Sequence, residues 1–395
     1  MPTSRSREYD LVLFGATGFT GRLTADYLAR HAPASCRWAL AGRDRARLAA
    51  VREQLVTLEP ACAELPLLTA DVNDPAALQR LARCARVVIT TVGPYIRYGE
   101  PLVAACAVAG TDYVDLTGEP EFVDRVWLRH HRDAEANGAR IVHCCGFDSI
   151  PHDLGAYFTV QQLPADEPLQ VDGFVRAGGR FSGGTYHSAI TALSRLGSYR
   201  RVAAERRARE AVPQGRRVRG RKGRIHYRRE LHAWAVPFPT IDPQVVLRSA
   251  RALDRYGPDF RYGHYLLLKR IGAVAGLLGA VSAALALAQF TPTRDWLLAK
   301  KAPGDGPSES ERAEGWFKVR FLGRAAGGRS VVCEVGGGDP GYGETSRMLA
   351  ESALCLAFDP LPQRCGQLTP AVAMGDALLA RLRAAGISFE IIAAP

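Results

Sequence analysis

The sequence predicts an α/β chain, a doubly wound parallel sheet first and a second α+β domain after it. Strand-like and helix-like segments alternate strictly up to about residue 150, and a glycine triplet marks the first strand-to-helix turn. Beyond residue 150 the rhythm changes to strand-like runs broken by glycines. With 395 residues, 47% hydrophobic and 23% charged, the chain suits two or three folded domains rather than a disordered segment.

The elements follow in order. YDLVLFG reads as a buried strand, TGRLTADYLARH as a helix, RWALAGR as a strand and RARLAAVREQL as a helix. LPLLTADV, a helix opening near Asp74-Pro75, the strand RVVITTVG and the helix PLVAACAVAG continue the pattern. DYVDL, the helix PEFVDRVWLRHHRDAEANG and the strand RIVHCCG complete it. This predicts a dinucleotide-binding domain over 1–150 and a second domain over 151–395, from which the C-terminal helix is free to return to the first. In the second part, WFKVRFLG and RSVVCEVGGG predict two antiparallel strands, TPAVAMGDALLARLRAAG a helix and SFEIIA a last strand.

The formal charge of +11 suits anionic partners: phosphorylated cofactors, acidic carrier proteins or anionic lipid. No stacking aromatics accompany the basic run in a recognisable RNA-binding motif, so nucleic acid is not expected. Nine scattered cysteines without a CxxC pair read as reduced thiols, with no metal site. The opening MPTSRSREYD lacks the apolar core of a secretory leader, and a cytoplasmic location is expected.

In GATGFTG, Gly15, Gly18 and Gly21 fall between the first strand and the first helix. A helix N-terminus presents outward N–H groups with partial positive charge, and glycines let a pyrophosphate approach them closely. The strand before and the helix after satisfy the context that this motif requires. The second strand ends in AGRD. Arg43 there matches a ribose 2′-phosphate, which favours NADP(H), whereas Asp44 beside it is the alternative, an acceptor for a ribose 2′-OH. Asp71 reads either as a partner of the adenine amino group or as a turn aspartate. Gly93-Pro94 shapes the loop after the fourth strand, at the nicotinamide end of the sheet.

Several longer stretches carry a resemblance. GATGFTG, AGR, VGPYIRYGEPLVAACAVAGTDYVDLTGEPEFV, GFDSIPHDLG, GDGPSESERAEGWFKVRF and GGGDPGYGETSRMLAESALCL together resemble the saccharopine dehydrogenase-like oxidoreductases. More narrowly, they are similar to the trans-acting enoyl reductase subfamily. The resemblance implies a Rossmann domain, a second α/β domain and NADPH as hydride donor. It also implies a substrate whose carbon–carbon double bond lies in an acyl chain held on the carrier domain of a synthase. Gly15, Thr17, Gly18, Phe19, Thr20 and Gly21 would then hold the pyrophosphate, Arg43 the 2′-phosphate, and Gly93 and Pro94 would lie beside the nicotinamide.

Reducing an enoyl thioester requires a proton at the α-carbon after hydride reaches the β-carbon. Tyr95, Tyr98, Asp148 and His152 are the candidate donors. Each has a plainer alternative: a tyrosine hydroxyl capping a loop, or Asp148 or Ser149 capping a helix that starts at Pro151. Tyr186 and His187 are weaker candidates for the substrate side. The arginine cluster 216–229 reads as a solvated mobile loop or as a dock for an acidic carrier or lipid headgroups.

The apolar helical segment 264–290 includes a run, Ile271–Thr293, without a charged residue. Spanning a membrane there would split one domain across two compartments. A packed or interfacial helix, bordering an acyl pocket, joining a homodimer or touching a membrane peripherally, is expected instead. Two rival functions remain: a saccharopine-type oxidoreductase acting on a C–N bond, and a non-catalytic NADP-binding protein on membranes or lipid.

Overall fold

β1 (Tyr9–Phe14) is apolar along its length because both of its faces are covered: Leu11, Val12 and Leu13 are fully buried. It pairs in parallel with β2 (Trp38–Gly42) on one side and β4 (Ala85–Thr90) on the other. β3 (Leu67–Thr69) extends the first side; β5 (Asp112–Asp115) and β6 (Arg140–Val142) extend the second. The strand order 6-5-4-1-2-3 therefore reverses direction between β1 and β4, which is where doubly wound sheets bind ligands. The connections are α1 (Phe19–His31), α2 (Arg45–Val56), α3 (Pro75–Cys84), α4 (Tyr95–Tyr98), α5 (Glu100–Ala109) and α6 (Pro120–Asn137). The computed structural model describes residues 7–178, 190–191, 193–299 and 306–393.

The second sheet is mixed. β7 (Leu169–Gly178) is its central strand, and the strands that follow are β8 (Arg217–Gly220), β9 (His226–Arg228), β10 (Ala233–Pro237), β11 (Asp259–Leu268), β12 (Trp316–Ala325) and β13 (Ser330–Gly337). β7 runs parallel to β11 and antiparallel to β12, and β12 forms with β13 the antiparallel pair that the sequence predicts. The last strand, Ser388–Ala393, adds to β13. Fully buried Phe174, Tyr262, Phe317 and Phe321 mark the core of this unit. Its helices among the described residues include α7 (Ile150–Val160), α8 (Leu196–Arg209), α9 (Asp242–Ala252), α10 (Ile271–Ala288), α11 (Thr291–Ala299) and α12 (Glu309–Ala313).

Two units divide the chain: Met1–Gly146 with Thr345–Arg381, and Phe147–Glu344 with Leu382–Pro395. The boundary lies at Gly146/Phe147, and the return to the first unit is larger than the single helix allowed for in a 151–395 domain. α13 (Gly343–Phe358) lays Met348, Leu349, Ala353 and Leu354 into the core, and β14 (Gly366–Leu368) pairs in parallel with β6 as a seventh strand. Arg381 clamps this segment with a two-pronged contact to Asp359 (2.5 and 2.8 Å) and a bond to Glu351, which also accepts from the Tyr27 hydroxyl at 2.7 Å. The C-terminal helical pattern is broken at Met374 into α14 (Pro370–Ala373) and α15 (Gly375–Ala384).

Two further expectations are corrected. The arginine cluster 216–229 is not a loop throughout: β8 and β9 run through it, and Arg216, Arg219 and Arg221 pair with Asp254, Asp259 and Asp172. Carboxylates on neighbouring elements neutralise part of the cluster, which composition within the run cannot reveal. The apolar segment 264–290 is not all helix, since β11 extends to Leu268 and the helix starts at Ile271. β7 pairs with Phe260–Leu266 and β10 with Tyr265–Leu268, and this pairing holds the stretch as a strand.

Candidate functional site

The first site lies at the carboxyl end of β1. Gly15 adopts φ +93°, and a Cβ there would stand 2.8 Å from the Thr91 hydroxyl oxygen and from a Val92 methyl. A Cβ on Gly21 would stand 2.1 Å from the Gly15 carbonyl oxygen. These two glycines let the loop fold back onto the first turn of α1. Gly18 is the N-cap of α1 and supplies no side-chain cap, and the first turn carries no acidic residue. The positive end of a 13-residue helix is thus presented behind a loop without bulk, the cradle that a pyrophosphate fits. Thr17 and Thr20 contribute their carbonyls to the loop's own framework: Arg22 donates to the Thr17 carbonyl at 3.2 and 3.1 Å, and Thr24 donates to that of Thr20. Phe19 begins the helix.

At the end of β2, Arg43 is exposed. Asp44 is engaged elsewhere. Its carboxylate accepts from the backbone N–H of Arg47 as the cap of α2 and pairs with the Arg47 guanidinium at 3.7 Å. Asp71 is likewise engaged in a turn, with one carboxylate oxygen accepting from both the backbone and the side chain of Asn73, at 2.8 and 2.9 Å.

The loop after β4 is rigidly held. Gly93-Pro94 is a cis peptide, and Glu119 accepts from the backbone N–H groups of Tyr95 (3.1 Å) and Ile96 (2.8 Å). The Tyr95 side chain is buried and its hydroxyl donates to the Thr90 carbonyl at 3.0 Å. Burial, with Asp115 nearby, pushes that hydroxyl well above the ordinary tyrosine range. Tyr95 thus braces the loop through its bond to the Thr90 carbonyl. Tyr98 is 39% exposed at the end of α4.

Beside this loop, the sequence reading misses a buried network. Asp115, at the end of β5, binds His143 Nδ1 at 2.6 Å and the Tyr113 hydroxyl at 3.0 Å, and accepts from the N–H groups of Thr117 and Cys144. Isolated His and Asp residues in strand-like runs give no sequence signal that they will meet.

The second site belongs to the other unit. Asp148, Ser149 and His152 lead into and through the first turn of α7, where they join residues from α9 and β11. His152 Nδ1 stands 3.3 Å from Asp242 Oδ1 and His264 Nε2 stands 3.5 Å from Asp242 Oδ2, neither with hydrogen-bond geometry. Ser149 does not cap α7; its hydroxyl donates to Asp242 at 3.3 Å, and the Thr240 hydroxyl donates to the other carboxylate oxygen. Tyr262 lies 3.1 Å from His264 Nδ1. Tyr262 and His264 are two apart on β11 and so share one face of the sheet.

The electrostatics separate two carboxyls. Burial, then repulsion from Asp242, raises Asp148 to about 7, although part of its surface stays accessible. Burial also works against the Asp242 charge, but the two histidines and the Thr240 hydroxyl more than reverse it, and Asp242 stays ionised. Burial first, with His264 adding to it, lowers His152 to about 4 against the pull of Asp242, so its ring is neutral near neutrality. The cluster thus couples an ionised carboxylate, a neutral imidazole and an acid that is half-protonated near neutral pH. Among the described residues, His152, Asp242 and His264 form a donor group compact enough for a cation, with one donor atom each within 4.8 Å. The hydroxyls of Ser149 and Thr240 each donate to an Asp242 oxygen, while both ring nitrogens of His152 and Nε2 of His264 are buried without a hydrogen-bond partner among the described residues.

The GFDSIPHD stretch makes Asp148 and His152 candidates, whereas Asp242 and His264, which the structure brings to His152, are not among the sequence candidates. In IDP, Asp242 looks like a helix-start residue, and His264 like a core residue in a strand. Tyr186 and His187 lie outside the described residues.

Comparison with known proteins bears on the first unit and on the family. Residues 11–142 match the family model of the saccharopine dehydrogenase NADP-binding domain. A Mycobacterium tuberculosis (strain H37Rv) protein, named provisionally as a trans-acting enoyl reductase, is 41% identical over 98% of each chain. The trans-acting enoyl reductase of Mycobacterium ulcerans is 38% identical, again over 98% of each chain. Apo saccharopine dehydrogenase (L-Glu forming) from Saccharomyces cerevisiae matches 98% of this chain and all of its own with a TM-score of 0.54 at 12% identity, a likeness of fold.

Proposed function

We propose a reaction on the premise that this chain belongs to the trans-acting enoyl reductase family of saccharopine dehydrogenase-like proteins and is an NADP-dependent oxidoreductase. It reduces the carbon–carbon double bond of an unsaturated acyl thioester, presented by the carrier domain of a separate synthase. Bound NADPH supplies the hydride to the β-carbon.

The chain's own residues do the rest. Gly15, Gly18 and Gly21, with Thr17, Phe19 and Thr20 between them, admit the pyrophosphate to the N-terminus of α1. Arg43 pairs with the 2′-phosphate, and the engagement of Asp44 as a helix cap supports the choice of NADP(H) over NAD(H). Gly93 and Pro94 would lie beside the nicotinamide, and Asp71 would accept from the adenine amino group. Exposed Arg217, Lys222 and Arg224 offer docking charge to an acidic carrier.

The observation that carries the mechanism is the buried cluster around Asp242 at the start of α7, next to the partly exposed Asp148, whose carboxyl is raised to about 7 by burial and the Asp242 charge. Asp148 holds a proton near neutral pH and delivers it to the α-carbon, and its partial exposure lets solvent replace that proton. Asp242 keeps the proton on Asp148 by repulsion, and the hydroxyls of Ser149 and Thr240 hold Asp242 in place.

The test is NADPH oxidation by the purified protein with an α,β-unsaturated acyl-pantetheine thioester, run beside saccharopine-type substrates. Oxidation with the thioester and recovery of the saturated product support the reading. Turnover of a C–N substrate instead would replace it with the saccharopine-type reaction, and tight NADPH binding without turnover of either would favour a non-catalytic role.

A further inference from the structure

We propose that α10 is a membrane-docking element that lies in the surface of an anionic bilayer without crossing it. The helix has 18 residues, of which only Val274 and Ala288 are buried. Ile271, Leu278 and Val281 are 56%, 46% and 48% exposed, and Phe290 beyond the helix is 68% exposed. No charged residue occurs from Ile271 to Thr293. A core helix of this composition would be buried, so water is the wrong solvent for this one.

The shape of the exposed surface selects the occupant. At 100° per residue, the exposed positions Leu278, Ile271, Ala275, Gly279, Gly276 and Ala273 sweep roughly 220° of the circumference. A helix or sheet of another protein covers a stripe and would leave much of that arc wet. Lipid covers all of it. Gly272, Gly276 and Gly279 are not a packing seam among the described residues, where a Cβ on any of them would meet nothing within 4 Å.

The flanks fit a lipid headgroup layer. Lys269 and Arg270 are exposed immediately before the helix, and Trp296, 55% exposed, follows it in α11. Cations that reach headgroup phosphates and aromatics at the interface are the usual borders of a membrane-embedded segment. The topology excludes spanning. β11 before the helix and β12 after it both pair with β7 in one sheet, so both ends of α10 remain on the same side. The helix therefore rests in the leaflet like a monotopic anchor, a place suited to an enzyme whose substrate carries a long acyl chain, although the inference does not depend on that reaction.

Flotation of the full chain with two vesicle types tests this: phosphatidylcholine alone, and phosphatidylcholine with phosphatidylglycerol at about three to one. The protein should float with the anionic vesicles and less with the neutral ones. K269E/R270E should cut binding to anionic vesicles by roughly tenfold or more. L278E/V281E, on an exposed face, should abolish flotation while thermal unfolding stays as in the wild type. No flotation with either vesicle type would overturn the proposal, as would flotation unaffected by L278E/V281E. So would a lipid-free dimer that L278E/V281E converts to monomer, since a second copy would then be the occupant.

Discussion

Asp242 Oδ1 lies 3.3 Å from His152 Nδ1, and burial together with this same carboxylate raises Asp148, four residues before His152, to about 7. Three residues from two parts of the chain thus set one proton balance. The account of the reaction rests on it.

Asp148 should set the alkaline limb of the rate. As its proton is lost through about pH 7, kcat should fall about tenfold per pH unit above that value. Asp148→Asn should lower kcat by roughly 10²–10⁴-fold and remove that limb, with NADPH affinity unchanged. Steady-state kinetics from pH 5 to about pH 9 checks this.

The same shift has a consequence for stability. The folded protein holds the Asp148 proton that the unfolded chain releases near pH 4, so ionising Asp148 costs stability progressively as pH rises from there to about 7. Asp148→Asn should therefore stabilise the protein at about pH 8 by on the order of 2–4 kcal/mol and change little near pH 4, as read from urea unfolding at both values.

If Asp242 raises Asp148 by repulsion, Asp242→Asn should move the alkaline limb to lower pH. An unmoved limb would mean that burial alone tunes Asp148.

Arg43→Ala should weaken NADPH by roughly 10–100-fold and leave NADH almost unaffected, the loss expected of a charge-assisted contact to phosphate. Binding of both nucleotides, followed by nicotinamide fluorescence, gives the ratio directly; an unchanged ratio would return the ribose to Asp44.

Tyr95→Phe separates bracing from catalysis. Losing the bond to the Thr90 carbonyl should cost about 0.5–1.5 kcal/mol of stability with kcat nearly unchanged. A collapse of kcat at intact stability would support Tyr95 as a donor.

The first unit was legible because its signals are local. The alternation that yields β1 through β6 and the turn at Gly15 are written in consecutive residues. What escaped is long-range. β14 is a three-residue strand whose place is set by pairing with β6, more than 200 residues away. Asp242 and His264 become part of a site only because α9 and β11 pack against α7, and nothing in their own neighbourhoods marks them. Arg216, Arg219 and Arg221 looked like a solvated run because their carboxylate partners lie elsewhere in sequence. Exposure of α10 was also invisible, since an apolar run has the same composition in a core or on a surface.

The most direct measurement is the fate of the label in a single turnover with an α,β-unsaturated acyl-pantetheine thioester and NADPH deuterated at the transferable position of its nicotinamide ring. The account predicts a saturated product with deuterium at the β-carbon and a solvent proton at the α-carbon, formed slowly by Asp148→Asn. Absence of saturated product, or deuterium found only in a C–N product when such a substrate is supplied, would contradict it.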